Sequence, residues 1–159
     1  MTTFVDVRKR SIRMMRLSCQ TLNNLLANVS QQTATTLRDG PAGWTTLEVV
    51  CHVRDFDNFF MDRCQRMLDG TYPNLPAYDH EQLAIDHSYN TQDLRTALST
   101  LSEHRAAFAQ FFETLTEAQW ELAGVHPEYG HWTMTTALMQ VPSHDLVHLE
   151  QITRILSRQ

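Results

Sequence analysis

Four stretches of this chain carry apolar residues at the three-to-four-residue spacing of an α-helix, and no run alternates with period two long enough to make a sheet. Helices with one apolar stripe bury it only against one another, so the expected class is all-α. The first stretch, Val5 to Val29, places Ile12, Met15, Cys19, Leu22, Leu26 and Val29 on one face. The second opens on Thr45-Thr46-Leu47-Glu48, a capping box in which Thr45 accepts from the Glu48 backbone N–H while the Glu48 side chain reaches back. Its stripe is Val49, Val53, Phe56, Phe60, Cys64 and Met67, and Gly70 stands where it stops. A third runs from Thr91 to Leu115 around Leu94, Leu98, Leu101, Phe108 and Phe112. The last runs from Thr133 to Leu156 and contains Pro142, which removes one backbone donor and kinks the helix.

The connections are long. Ser30 to Gly43 loses the helical period and ends in turn residues. Thr71 to Asn90 reads as a connection with one helical turn around Glu81 to Ile85. Thr116 to Leu122 adds a short turn with Trp120 as a core plug, and Gly124, Pro127 and Gly130 mark a further loop. Together these features predict a single domain over residues 1–159, a four-helix bundle with at least one crossover rather than a plain series of hairpins.

The net charge of −5 and a pI near 5.8 argue against a nucleic-acid partner, since phosphate binding needs a basic face. The main basic run, Arg8-Lys9-Arg10 with Arg13 and Arg16, reads as a solvated helix face. Three cysteines without close spacing make no disulfide framework, which points to a reducing cytosol. Met1 to Leu22 has no apolar core of a signal peptide, and no run approaches the roughly 18 apolar residues of a membrane span.

Within the last helical stretch, His144 and His148 stand four residues apart. At that spacing side chains lie one above the other with Cβ atoms about 5–6 Å apart, so both imidazoles reach one metal ion. The spacing alone is weak evidence: eight histidines scattered at random over the chain would give roughly 0.4 such pairs. His52, beside Val53 on the edge of the second stripe, is the candidate third ligand. Taken alone, it reads equally as a core histidine satisfied by a carbonyl or a carboxylate. Three neutral imidazoles suit zinc or nickel better than magnesium, with cobalt, iron and manganese also fitting. Such a site leaves the ion's charge uncompensated, which favours deprotonating a bound water or thiol and polarising a substrate oxygen.

At these residues the chain resembles a known family. His144-Asp145-Leu146-Val147-His148-Leu149-Glu150-Gln151-Ile152 is similar to the His-Asp-x-x-His-x-x-Gln-Ile pattern of the DinB-like (DinB/YfiT-like) metal-binding family. Gly43-Trp44-Thr45-Thr46-Leu47-Glu48-Val49-Val50-Cys51-His52 is similar to that family's Gly-Trp-Ser-x-x-Glu-x-x-x-His helix start. The two matches stand in the family's order and cover about a fifth of the chain. The resemblance implies the DinB/YfiT four-helix bundle, metal ligands at His52, His144 and His148, and a homodimer. It also implies activities of the bacillithiol-transferase kind or like those of the mycothiol-dependent maleylpyruvate isomerases, both of which use a low-molecular-weight thiol.

Neighbouring residues read more plainly. Asp145 points about 100° away from His144 and is expected to orient a helix or a ligand rather than bind the ion. Gln151 either faces the open coordination side or is solvated. His126 and His131 are expected to be exposed loop histidines, with an acid–base role at the bundle mouth as the alternative. Cys51 and Cys64 read as buried structural thiols. With no placed nucleophile in the chain, chemistry would come from the metal and an exogenous nucleophile. The leading expectation is a metal-dependent transferase using a low-molecular-weight thiol. The alternatives are a metal-assisted hydrolase and a non-catalytic, stress-related or dimerising bundle.

Overall fold

The structure is a computed structural model and describes residues 4–158; residues 1–3 and 159, which the single-domain expectation includes, lie outside the described residues. Four long helices carry the fold: α1 (Phe4–Leu26), α3 (Thr46–Asp69), α5 (Leu94–Thr114) and α7 (Met134–Leu156). Between them lie three short ones, α2 (Gln31–Thr36), α4 (His80–Asp86) and α6 (Glu117–Trp120), and a 3₁₀ turn at Tyr89–Thr91. Two strands, β1 (Ala123–His126) and β2 (Gly130–Thr133), pair antiparallel.

Helix ends follow local chemistry. Thr45 caps α3 through the expected box, with Thr45 Oγ1 accepting from Glu48 N and the Glu48 carboxylate accepting from Thr45 N at 2.7 Å. Asp93 and Thr133 cap α5 and α7, and α7 runs through Pro142 as one helix. Two connections hold more structure than their composition suggests. The Ser30 hydroxyl accepts from Thr33 N and starts α2, a polar helix with no apolar period to betray it. The Gly124–Gly130 loop is a hairpin of four-residue strands, too short for alternation to be read in the sequence.

Helix α1 packs against α5 and α7, and α3 packs against the same two, so α1 faces α3 across a diagonal. Contacts along the helices give their directions. Arg8 of α1 reaches Thr135 near the start of α7, and Ser18 reaches Asp145 further on, so α1 and α7 run parallel. Arg16 meets Glu113 while Leu26 meets Arg95, so α1 and α5 run antiparallel. The order is therefore up, down, down, up for α1, α3, α5 and α7. Two consecutive helices with the same direction cannot be joined by a tight turn, so residues 70–93 travel the length of the bundle as the crossover.

The core divides in two. One apolar cluster includes Leu26, Leu47, Val50, Leu101 and Ile155, and the other Met15, Met67, Phe108, Phe112 and Leu138. Each large side chain so buried contributes about 1.5–3 kcal/mol relative to exposure. Trp120 plugs the second cluster, as expected. The two clusters are separated by a polar layer to which all four long helices contribute, and the histidines lie in that layer. Among the described residues, no helix is long and apolar enough to cross a membrane.

Candidate metal centre and its cavity

Because α3 and α7 run antiparallel and adjacent, His52 faces the turn of α7 that carries His144 and His148. One nitrogen from each of the three imidazoles lies within 4.8 Å of the other two. The Nε2 atoms of His52 and His144 are 3.0 Å apart. Two nitrogens bound to one tetrahedral zinc at about 2.0–2.1 Å would stand about 3.3 Å apart, so the spacing suits a shared ion. On His148, Nδ1 donates to Gln151 Oε1 at 2.8 Å, which leaves the Nε2 lone pair free to ligate an ion. Gln151 Nε2 in turn donates to Asp39 Oδ2 at 3.2 Å, and Asp39 is held by Arg154 at 3.1 Å.

Burial pushes all three histidines toward the neutral form, that of His144 down to about 3, with the neighbouring imidazoles acting in the same direction on His52 and His144. A neutral imidazole offers the lone pair a metal needs, so the site is protonically ready at neutral pH. The Phe56 ring stacks on His144 with centroids 5.0 Å apart and lies 4.2 Å from His52, restricting both rings.

Asp145 turns away from the cluster, as its position beside His144 requires. It accepts from Arg105 Nη2 at 3.0 Å and from the Ser18 hydroxyl. Arg105 also donates to both oxygens of Asp57, at 2.8 and 3.0 Å, and to the Met15 carbonyl. One guanidinium thus ties α1, α3, α5 and α7 together at the level of the histidines, and it is only 2% exposed. Sequence reading passed over Arg105 because a lone arginine in a helical stripe has no local signature.

The cluster opens on a cavity of about 510 Å³, within the usual size of a small-molecule site. Its floor is one face of α3, with His52, Phe56, Phe60 and Arg63 at successive turns. On the α7 wall, His148, His144 and Gln140 follow the same order at four-residue steps. Tyr78 and His80 from the crossover and His126 and Tyr129 from the hairpin complete the rim. His80, whose ring centroid is 5.8 Å from that of His52, had no sequence signal beyond being a histidine in a connection. His131 is exposed, as expected, and bonds Tyr72. His126 corrects the expectation: it is buried, with Tyr129 and Trp132 stacked on it at 4.8 and 4.5 Å. The hairpin register folds it inward, opposite Gly130.

All three cysteines are buried. Burial pushes the Cys51 thiol up to about 12, and raises Cys19 and Cys64, so none is a thiolate at neutral pH. None lines the cavity. The arrangement therefore offers a nest of neutral imidazole nitrogens at one end of a cavity rich in aromatic side chains, with no cysteine along it.

The family model described as the DinB superfamily matches residues 14–152. A protein of Oceanobacillus iheyensis, named as a candidate metal-dependent hydrolase, is 25% identical over 138 residues, covering 87% of this chain and 76% of the relative. YfiT of Bacillus subtilis, likewise named as a candidate metal-dependent hydrolase, is 28% identical over 128 residues, or 80% of this chain and 71% of that protein. The solved YfiT structure, described as having an unusual four-helix bundle topology, superposes with a TM-score of 0.85 over 95% of this chain and 86% of that one. A mycothiol-dependent maleylpyruvate isomerase shares the fold, with a TM-score of 0.73 at 16% identity over 96% of this chain and 63% of the isomerase.

Proposed function

Since the chain belongs to the DinB superfamily, we propose that it is a divalent-metal-dependent enzyme in which His52, His144 and His148 hold the ion and a low-molecular-weight thiol is the nucleophile. The observation that carries this reading is the set of three imidazole nitrogens, from two helices, within 4.8 Å of one another at the end of a cavity of small-molecule size. When bound, a zinc or nickel ion would supply the charge that makes a thiol a thiolate near neutral pH and polarises an electrophile.

The chain's own residues do the rest. Gln151 fixes the tautomer and orientation of His148, and Asp39 fixes Gln151. Phe56 and Phe60 make the floor of the cavity apolar, and a less polar floor strengthens electrostatic interactions beside it. The buried, protonated cysteines leave the sulfur nucleophile to come from outside. The mycothiol-dependent neighbour, built on the same fold, supports a thiol in that role. The chain acts in this reading as one domain.

The test begins with metal content by elemental mass spectrometry of the untagged wild type, His52→Ala and His148→Ala. About one ion per chain, lost in both variants, is the expected result. Conjugation of bacillithiol or mycothiol to a bimane electrophile is then expected only with the metal-loaded wild type. A protein that takes up no metal sinks the whole reading and leaves a scaffold. Metal without thiol conjugation sinks the thiol half. The second reading, hydrolysis, is favoured by the names of the two sequence relatives and predicts turnover of activated esters with no thiol added.

A further inference from the structure

The end of the cavity away from the histidines holds a cation with no anion. Arg63 lies eleven residues beyond His52 on the same face of α3, about 16 Å along the helix axis at 1.5 Å per residue. Its side chain is buried, and its Nε and Nη2 both donate to the Pro76 carbonyl, at 3.1 and 2.9 Å. That bond and the Tyr78 ring, 5.1 Å from the guanidinium carbon, lock the fork in place. Among the described residues Nη1, the solvent-accessible end of the fork, has no protein acceptor, and no carboxylate comes within ion-pair distance of Arg63. Glu128, on the exposed rim, and Asp62, the preceding residue of α3, act on it only through their fields. Burial depresses the Arg63 pKa, the expected effect on a desolvated cation. A largely desolvated charge without a counter-ion is costly, and a ligand anion at Nη1 would complete the pair.

A second polar group lines the same cavity. His126 Nδ1 accepts from the backbone N–H of Glu128 and of Tyr129, so in the neutral ring the proton is on Nε2. That Nε2–H is buried and has no partner in the protein. His126 is 4% exposed, packed in a three-ring cluster with Tyr129 and Trp132, whose own centroids are 5.6 Å apart, and feels the positive charge of Arg63. Between these donors and the histidine cluster the floor is aromatic, Phe56 and then Phe60.

We propose that Arg63 and His126 form a carboxylate-binding end of the cavity, so that its ligand is an elongated molecule with a carboxylate at one end, an apolar middle on Phe56 and Phe60, and its reacting group at the histidine cluster. One guanidinium and one neutral N–H match a planar monoanion. A phosphate dianion would need more donors and would face Glu128 at the rim. The proposal deepens the reading of this cavity as the active site and rests on it for the position of the reacting group. The carboxylate end stands on its own.

The probe is 4-phenylbutyrate, compared with its neutral amide, 4-phenylbutanamide, by calorimetric titration of the full chain. Titrations are run as purified and again after dialysis against EDTA, which separates binding at Arg63 from carboxylate binding to a metal. The acid is expected to bind at least tenfold tighter than the amide in both preparations. Arg63→Gln is expected to erase that preference and Arg63→Lys to keep part of it. Equal affinities, no binding of the acid, a preference that vanishes with EDTA, or one that survives Arg63→Gln would each overturn the proposal. Circular dichroism checks that the variants fold. Should Arg63→Gln not fold, His126→Phe keeps an aromatic ring in the cluster with Tyr129 and Trp132 and removes the donor; a roughly tenfold loss of acid affinity supports the proposal, and an unchanged affinity overturns it. A protein without metal would sink the proposed reaction and leave this result readable.

Discussion

Gln151 accepts a hydrogen bond from Nδ1 of His148 at 2.8 Å, one turn further along the same helix. The contact decides which nitrogen of His148 faces the cluster, and Asp39 holds Gln151 in turn. Removing such an outer partner typically costs 10–100-fold in metal affinity. Gln151→Ala is therefore expected to weaken zinc binding by about that factor while leaving the fold intact, since Gln151 lies at the cavity edge. Competition with a chromophoric chelator measures it; an unchanged Kd would mean that Gln151 does not orient the ligand.

Arg105 is the only cation in contact with two buried carboxylates, Asp57 and Asp145, among the described residues. Breaking a buried ion pair from one side leaves an uncompensated charge and costs about 3–5 kcal/mol. Arg105→Met is expected to lose at least that much in urea denaturation, because it strands two carboxylates. Asp145→Asn, which leaves Arg105 paired with Asp57, should lose clearly less.

The histidines make the metal-free protein acid-sensitive. A histidine unfolds to a pKa near 6.5, while His144 is held down to about 3 by burial. Between those values the unfolded chain binds more protons than the folded one, so stability falls as the pH falls. By pH 5 this amounts to about 2 kcal/mol for His144 alone. Asp57 works the other way, since burial raises it to about 6 and the folded state takes up its proton below that pH. The effect of His144 is isolated by comparing melting curves of EDTA-treated wild type and His144→Phe at pH 7 and pH 5. The wild type is expected to lose more stability on acidification than the variant; parallel losses would contradict the depressed pKa.

Gly124 is where the hairpin meets the crossover. Val125 N donates to Pro73 O at 2.8 Å and Leu75 N to Val125 O at 2.9 Å, and a Cβ on Gly124 would stand 2.8 Å from Pro73 O. Backbone cannot step aside as a side chain can. Gly124→Ala is expected to destabilise by about 1–3 kcal/mol and to loosen the rim that carries His126. A thermal melt reads the first effect. The second appears as faster amide exchange at Leu75 and Val125, and wild-type exchange there would show the pairing to be dispensable.

Much of the fold is legible because its signals are local. The capping box at Thr45, the stripes of the four long helices and the one-turn separation of His144 and His148 depend on residues within a few positions of one another. The short elements escaped for the opposite reason. Gln31–Thr36 is a helix through its cap alone, and Ala123–Thr133 is a hairpin through its own pairing and its contact with the crossover, neither of which leaves a periodic trace. His126 read as a loop histidine because nothing within its loop records the inward fold that buries it.

The sequence by itself determined which segments are the four long helices, where the capping box starts the second of them, and that two imidazoles share one face of the last, since a 3.6-residue repeat acts within each element. Only the tertiary structure decided that α3 lies antiparallel beside α7, so that His52 completes the cluster. It alone brought Arg105 between Asp57 and Asp145 and left Arg63 without an anion inside the cavity. These pairings join residues 40 or more positions apart or depend on what the packing withholds from a side chain. They follow from how four amphipathic faces are buried together, a choice no single stripe contains.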